Sequence, residues 1–160
     1  MIKTGLVLDL SNLYFNIPRV FGKGSKLHVT SLLENIEKNG HTLVSKVAYS
    51  NQHADDAHRF VGLLKVHGIE TFFDNTDWSI AIALKVAELC DIVDSIIICT
   101  SNIQMWRLMH YAKTRGKIVK CMSVNIPHWF KQYGQCLELS SEVIELKKFE
   151  DSSIGQEAVA

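Results

Sequence analysis

The sequence from Leu6 to Tyr14 reads LVLDLSNLY, and its apolar beginning ends at an acid that is followed closely by an amide. The first three residues are aliphatic and uninterrupted, which predicts a short strand buried on both faces. Asp9 would then stand where this strand reaches the carboxyl edge of its sheet, the edge at which open α/β sheets bind ligands. An aspartate there also suits the cap of a helix that we expect from about Leu13, so position alone leaves both roles open.

The composition is that of an ordinary globular chain. It has 160 residues, of which 47% are hydrophobic and 21% charged, and its formal net charge is zero. Neutrality excludes nucleic-acid binding by bulk charge alone and leaves a local basic patch open. The length suits one domain with its own core. We expect that domain over residues 1–149 and a flexible tail over residues 150–160, where the sequence is small and polar.

The cysteines and the amino terminus bear on the cellular compartment. The four cysteines form no CxxC pair and lie in or beside apolar runs, which is typical of buried thiols in a reducing environment. The amino terminus passes from one lysine into an apolar run without the features of a signal peptide. No apolar run approaches membrane-spanning length. We therefore expect a cytoplasmic protein with no membrane partner.

Strand and helix patterns alternate along the chain. Beyond the first strand, the patterns predict strands at 43–49, 69–73, 96–99, 117–124 and 143–146. They predict helices at 13–20, 31–39, 55–67, 76–90 and 102–115, and partly helical structure over 126–138. This alternation predicts an α/β, three-layer, Rossmann-like fold with a mainly parallel central sheet of about five to six strands.

Three local signals refine the predicted helices. Pro18 should disturb the helix over 13–20, because a proline inside a helix removes a hydrogen bond. Ser31 and Glu34 match a capping box at the start of the next helix. In the helix over 76–90, four apolar residues at helical spacing predict the buried face, namely Ile80, Leu84, Ala87 and Leu89.

A second informative stretch is IIICTSNIQMW, Ile96 to Trp106, in which a buried strand ends at polar residues and a helix begins. If this strand and the first one are neighbours, Asp9 and Asn102 face each other where the order of the sheet reverses. Asp77, at the start of a helix, would point into the same crevice, and Gln104 would join it. Such an oxygen-rich cluster suits Mg²⁺, which takes one or two carboxylates and retains several waters.

The order of these motifs resembles that of the NYN domains, a branch of the PIN-like nuclease superfamily, over most of the chain. Residues 8–14, LDLSNLY, are similar to the family's opening Ile-Asp-Gly-x-Asn-Leu-Tyr segment. Residues 77–83, DWSIAIA, fall where the family has Asp-x-x-Leu-x-x-Asp. Residues 97–117 match its Ser-Gly-Asp-Ser-Asp-Phe segment and the helix ending in Gly-Lys, while 60–73 and 143–146 resemble the stretch before the mid-chain acid and the closing strand.

The resemblance implies RNA cleavage by a metal-held water, and this sequence departs from it at the acids. Asp9 and Asp77 are acidic, as the family pattern requires. At the position of the second mid-chain acid this sequence has Ala83, and at the positions of the two later acids it has Asn102 and Gln104. An amide offers an oxygen but no charge to a divalent cation, and each charge contributes strongly at intermediate dielectric. The resemblance therefore implies Mg²⁺ or Mn²⁺ bound weakly or not at all by Asp9 and Asp77, and weakened or lost cleavage.

Further candidates surround this site. The resemblance makes Asp9, Asp77, Asn102 and Gln104 the catalytic positions and RNA, or another nucleic acid, the partner. Substrate-binding candidates are polar residues near the two strand ends and basic residues farther along, namely Asn12, Thr100, Ser101, Arg107, Lys113 and Lys117. A basic face would follow a phosphate backbone, and exposed aromatic residues such as Trp106, Tyr111 or Trp129 would stack bases.

Three functions stay open on the sequence. The first is a nucleic-acid-binding protein with a degenerate nuclease site. The second is an active Mg²⁺- or Mn²⁺-dependent endoribonuclease that uses Asp74, Glu34 or Glu88 in place of the missing acids. The third is a protein-interaction module on the same scaffold.

Local structure offers another explanation for some of the same residues. Ser101 and Gln104 have the spacing of a capping box, and Asp77 would complement the dipole of the helix that follows it. A phosphatase of the haloacid-dehalogenase type, with Asp9 as nucleophile, is disfavoured because Ser11 stands where that chemistry requires a second aspartate.

Overall fold

A computed structural model gives the structure of the protein and describes residues 1–51, 54–139 and 144–146. The tail expected over 150–160 lies outside the described residues. Strands and helices alternate in the described part of the chain. The strands are β1 (Ile2–Asp9), β2 (Ser25–Leu27), β3 (His41–Ser50), β4 (Glu70–Phe73), β5 (Ser95–Cys99), β6 (Ile118–Ser123), β7 (Gln135–Glu138) and β8 (Ile144–Leu146). The helices are α1 (Leu10–Phe21), α2 (Val29–Lys38), α3 (Ala54–Val66), α4 (Ser79–Leu89) and α5 (Trp106–Thr114), with 3-10 helices at Ile103–Met105 and His128–Tyr133.

Six strands form the central sheet, in the order β4-β3-β1-β5-β6-β7, and each pairing within it is parallel. β1 and β5 are neighbours, with Leu6 opposite Ile97 and Leu8 opposite Cys99, as the sequence predicted. The chain runs outward from β1 in one direction and then from β5 in the other. A crevice for a ligand therefore opens at the carboxyl ends of these two strands. Strands β2 and β8 form a separate antiparallel pair.

The side chains of β1 explain why helices cover both faces of the sheet. Leu6 and Leu8 point into one core and Val7 into the other, and all three are fully buried. The first core also contains residues of α1, α2 and α3, such as Leu13, Leu32 and Leu64. The second contains residues of α4 and α5, such as Val86 and Met109. Burying one such aliphatic side chain stabilises the fold by about 1.5–3 kcal/mol. The predicted three-layer α/β class is confirmed.

Helix α1 starts earlier than the sequence predicted. It begins at Leu10, directly after Asp9, and it continues through Pro18 to Phe21. The expected disturbance at Pro18 therefore does not end the helix. A proline inside a helix costs about 3 kcal/mol, and the burial of three side chains of α1, Leu10, Leu13 and Ile17, offsets that cost.

The capping box predicted for α2 is wrong. The helix begins at Val29, and its cap is His28, whose Nδ1 accepts a hydrogen bond from the backbone N–H of Ser31 at 3.3 Å. Glu34, the other half of the predicted box, is exposed. An imidazole nitrogen thus takes the place that the Ser31 hydroxyl would have held, and the helix gains a half turn at its start.

The buried face predicted for α4 is wrong in part. Ile80 and Leu84 are 76% and 67% exposed, whereas Ile82, Val86 and Leu89 are buried. The first turns of this helix are apolar on every side, so the spacing of apolar residues could not distinguish the inner face from the outer one. No helix in the described ranges has the length and apolar character needed to cross a bilayer.

Candidate functional site

A cleft of about 850 Å³ opens at the carboxyl ends of β1 and β5. Asp9, the last residue of β1, and Asn12, in the first turn of α1, line it on one side. Asn102 follows β5, and Asp77 comes from the loop before α4. The other lining residues are Ser11, Tyr14, Phe15, Asn51, Asn75, Thr76, Trp78, Ser79, Ile82 and Met105. The crevice that the sequence placed at the reversal of the strand order therefore exists.

Asp9 is held in place by Thr100. The Thr100 hydroxyl donates to Asp9 Oδ2 at 2.7 Å, and its oxygen accepts from the backbone N–H of Asn102 at 3.0 Å. Burial raises the pKa of Asp9, hydrogen bonding by the Thr100 hydroxyl and the Asn12 backbone lowers it, and the charge of Asp77 raises it. The negative charge of Asp77 therefore acts on the Asp9 carboxyl group as the smallest of these influences on its pKa. A cation bound between the two carboxylates would offset that influence.

Hydrogen bonds of Asn12 and Ser101 connect the ends of three strands. Asn12 Oδ1 accepts a hydrogen bond from the backbone N–H of Ser101. The Ser101 hydroxyl in turn bonds with the Ser123 hydroxyl and donates to the carbonyl of Val124 at 3.1 Å. These contacts join the ends of β1, β5 and β6. The two residues thereby hold the floor of the cleft in one geometry.

Asp77 lines the cleft from the loop directly before α4. Its Oδ1 accepts from the Ser79 hydroxyl at 2.6 Å and from the Ser79 backbone N–H at 2.9 Å. These two bonds lower the pKa of Asp77, so its carboxylate is charged at neutral pH. The sequence offered a place in the first turn of the helix as an alternative role, but α4 begins at Ser79 with Trp78 as its cap, so Asp77 lies just before the helix and its carboxylate stays in the lining of the cleft.

Asn102 and Gln104 occupy different surroundings. Asn102 lines the cleft and caps the 3-10 turn, because its Oδ1 accepts from the Gln104 backbone N–H at 3.0 Å. Gln104 is exposed and is not among the residues that line the cleft. The capping box expected from Ser101 and Gln104 does not form, because the Ser101 hydroxyl is turned toward β6.

Among the residues that the structure describes, Asp9 and Asp77 are the carboxylates that line the cleft. No group of three or more histidine, cysteine, aspartate or glutamate side chains in those residues is arranged to hold a metal ion. The three substitute acids suggested by the sequence, Asp74, Glu34 and Glu88, lie outside the lining. Mg²⁺ in proteins takes one or two carboxylates and keeps its waters, so the donor set fits a weakly held divalent cation.

The predicted basic residues lie away from the cleft lining. Arg107 and Lys113 are exposed on α5, and Lys117 is half-buried just before β6. The Arg107 guanidinium carbon lies 5.4 Å from the ring centroid of Trp106. This surface therefore remains a candidate for nucleic-acid contact, separate from the acids.

Sequence reasoning missed the aromatic walls of the cleft. Phe15 lines one wall from α1, and Arg19 Cζ lies 4.0 Å from the centroid of its ring. Trp78 lines the other wall, where its Nε1–H donates to the carbonyl of Ser50 at 2.8 Å. The spacing of an aromatic residue and an arginine four apart beside Asn12 was the available signal for the first wall.

A parallel sheet whose strand order reverses at a cleft lined by two carboxylates defines a doubly wound α/β protein with its binding site at this edge. The model of the NYN domain matches residues 3–135, and the chain belongs to the NYN domain family. The resemblance seen in the sequence is confirmed.

The fold is also found among solved structures. The chain is similar to a protein of unknown function from Vibrio parahaemolyticus RIMD 2210633, whose crystal structure superposes with a TM-score of 0.81 and 17% sequence identity. The alignment covers 90% of this chain and 96% of that chain. At this identity the likeness concerns the fold alone. Among curated proteins, none matches this chain significantly.

Proposed function

We propose that this protein binds RNA in the cleft at the carboxyl edge of its sheet, with weakened or lost metal-dependent cleavage. The observation that carries the proposal is the cleft floor, where two carboxylates face side-chain amides in a chain of the NYN family. The amides are those of Asn12, Asn51, Asn75 and Asn102. Amide N–H groups donate to phosphate oxygens and carry no charge that repels them.

Asp9 and Asp77 are the residues that would hold Mg²⁺ or Mn²⁺. When bound, such a cation attracts phosphate and lowers the pKa of water. A hydrogen bond from Thr100 holds the Asp9 carboxylate in the cleft, and hydrogen bonds from Ser79 hold that of Asp77. Asn102 adds an uncharged oxygen to this site. Only two carboxylates would therefore attract the cation, whereas the family pattern has more acids around the metal. Weak binding and slow or absent cleavage follow from this shortage of charge.

A protein-interaction module is the second candidate. It is favoured by the outer face of α4, where Ile80 and Leu84 are mostly exposed, because large apolar side chains are costly to leave in water.

For either function we propose a single domain over residues 1–149 and a location in the cytoplasm. The free thiols support that location, namely Cys90, Cys99, Cys121 and Cys136.

Binding and cleavage can be measured separately. Fluorescence anisotropy with an unstructured single-stranded RNA at low salt, in EDTA, reports binding, and we expect affinity that falls as salt is added. Denaturing gels after incubation with MgCl₂ or MnCl₂ report cleavage, which we expect to be slow or absent. A wild-type protein that binds no RNA at low salt would contradict the proposal and leave the interaction module. Rapid cleavage that Asp9→Asn abolishes would favour the active ribonuclease instead.

A further inference from the structure

We propose that the α1 wall of the cleft is a binding site for one unpaired base, which stacks on Phe15, and for the adjacent phosphate, which Arg19 contacts. This inference rests on the proposed function and adds to it the residues that select a single strand. Phe15 is 60% exposed although it is a large apolar side chain, and it lines the cleft. An aromatic ring in that position is available to a ligand and contributes little to the core.

The geometry of α1 places Phe15 and Arg19 next to each other, as a joint site for a base and a phosphate requires. Successive members of the set Ser11, Phe15 and Arg19 are four residues apart. They therefore lie along one face of α1, which begins in the cleft. The guanidinium carbon of Arg19 lies 4.0 Å from the ring centroid, which places the cation over one face of the ring. The opposite face of the ring is the surface that we assign to the base. A guanidinium held in this way also keeps donors for a phosphate oxygen.

The α1 wall and the floor of the cleft carry side chains of opposite charge. The residues of α1 include no acid, and Arg19 in its last turn is followed by Lys23 in the glycine-containing loop. The floor carries the carboxylates of Asp9 and Asp77. Without a cation, a phosphate is repelled by that floor and attracted to the α1 wall. The backbone of a bound strand would therefore run along α1.

The opposite wall explains why the ligand should be unpaired. Trp78 is fixed by its hydrogen bond to Ser50, and its ring packs against Tyr49 and Phe72 at centroid distances of 5.5 and 6.1 Å. The cleft thus has an aromatic side chain on each side. Bases inside a duplex are already stacked on one another, whereas an unpaired base has free faces for aromatic side chains. The two walls favour a single strand.

The chain contains a similar pair on α5, the surface that the sequence offers as the other place where a base would stack. Tyr111 and Arg115 on α5 are also four residues apart, and Arg115 Cζ lies 5.8 Å from the ring centroid of Tyr111. Tyr111 is 38% exposed and does not line the cleft, and Arg115 is paired with Asp91 at 2.7 Å. The same change made in each aromatic residue therefore separates the effect of the cleft from that of an exposed ring.

The test uses a single-stranded RNA of alternating cytidine and adenosine with one 2-aminopurine, whose fluorescence falls when it stacks. We expect Phe15→Leu to weaken binding by about 5- to 100-fold and to remove most of the quenching. Phe15→Trp should retain the affinity and the quenching, because an aromatic face is what the base requires. Arg19→Gln should weaken binding and lower the salt slope by about one phosphate contact. Tyr111→Leu decides between the two surfaces: we expect it to leave the quenching in place, and a loss of quenching equal to that of Phe15→Leu would place the stacking on α5 and overturn the site on α1.

Different failures have different meanings. If wild type binds the RNA and Phe15→Leu binds and quenches equally well, the stacking site is wrong while the proposed function stands. Equal affinity for a duplex of the same length would also overturn the stacking site. If wild type binds neither form at low salt, the proposed function and this inference fail together. Thermal unfolding of Phe15→Leu and Phe15→Trp, compared with wild type, excludes misfolding as the cause of any loss.

Discussion

Thr100 Oγ1 lies 2.7 Å from Asp9 Oδ2, and this hydrogen bond joins the ends of the two central strands. The same hydroxyl oxygen accepts from the backbone N–H of Asn102. One buried side chain therefore positions both a carboxylate and an amide of the cleft. Neither strand could shift along the other without breaking it.

Thr100→Val keeps the shape of this side chain and removes its hydroxyl. We expect the free energy of unfolding to fall by about 1–3 kcal/mol, because a buried carboxylate loses a partner. The pKa of Asp9 should rise further, since the Thr100 bond lowers it. Urea unfolding measures the first effect and carboxyl NMR titration the second. Thr100→Ser, which keeps the hydroxyl, should retain most of the stability, and a loss equal to that of valine would argue against the bond.

Asp9→Asn should stabilise the fold at neutral pH. The pKa of Asp9 is raised above its ordinary value of 3.8 in the folded protein, chiefly by burial. An acid with a raised folded pKa favours folding below its unfolded pKa, and that contribution is lost as the pH rises through the folded value. The advantage of asparagine should therefore appear above pH 3.8 and vanish below it. Unfolding measured across this range checks the sign, and destabilisation at neutral pH would contradict it.

The inner face of α4 can be tested with two isoleucines. Ile82→Ala should cost about 2–5 kcal/mol, because it leaves a cavity beside the sheet, whereas Ile80→Ala should change stability by about 0.5 kcal/mol or less. Ile82 is 2% exposed and Ile80 is 76% exposed. Denaturant midpoints measure both. Equal losses would mean that the exposed face of α4 is covered in solution.

The middle of the central sheet could be predicted because Leu6–Leu8 and Ile96–Cys99 are unbroken apolar runs that end abruptly at polar residues. That pattern alone predicts Asp9 and Asn102 at one edge of the sheet, and both residues line the cleft. The face of α4 could not be predicted, because apolar residues surround its first turns. The cap of α2 was missed because His28 uses a ring nitrogen, for which the usual capping signals give no rule.

The contribution of Asn51 and Asn75 to the cleft could not be predicted from local patterns. Asn51 and Asn75 come from loops after β3 and β4, and their meeting depends on the path of the whole chain. The sequence groups Gln104 with Asn102 because the two residues are close along the chain. The 3-10 turn that Asn102 caps leaves Gln104 exposed and outside the lining. A short turn thus separates two amides that the sequence had grouped.

A buried histidine should give the protein a pH-dependent stability. His41 Nε2 lies 2.9 Å from Lys120 Nζ, and its Nδ1 lies 2.8 Å from the Thr4 hydroxyl, which donates to the carbonyl of Ile2. Lysine can only donate, so the ring is neutral in this arrangement. Burial first and the charge of Lys120 second lower the pKa of His41. A histidine with a lowered pKa stabilises the fold above its unfolded pKa, and this is lost as the pH falls through the folded value.

The expected result is a fall in the free energy of unfolding as the pH drops below 6.5, the ordinary value for histidine. His41→Gln should remove much of that slope. His110→Gln serves as the control, because His110 is exposed on α5. A slope that is unchanged by His41→Gln would show that other groups cause the pH dependence.

Restoring a charge at one amide tests the proposed loss of metal binding. Asn102→Asp should keep the cap of the 3-10 turn, because aspartate caps helices as well as asparagine does. It should raise Mn²⁺ affinity by about tenfold or more, since a third carboxylate in the cleft adds direct attraction to the cation. It should also increase any Mn²⁺-dependent cleavage of single-stranded RNA. Calorimetry measures the affinity and denaturing gels measure cleavage.

The matched control for this restoration is Gln104→Asp, which adds the same charge close by in sequence. Because Gln104 is exposed and outside the cleft lining, this change should alter Mn²⁺ affinity by about twofold or less, as expected for a screened surface charge. The double variant should then match Asn102→Asp alone. If Gln104→Asp has the larger effect, the metal lies outside the cleft described by Asp9 and Asp77. If neither change strengthens Mn²⁺ binding, the amide at Asn102 does not stand in for a metal ligand, and its role is to cap the turn.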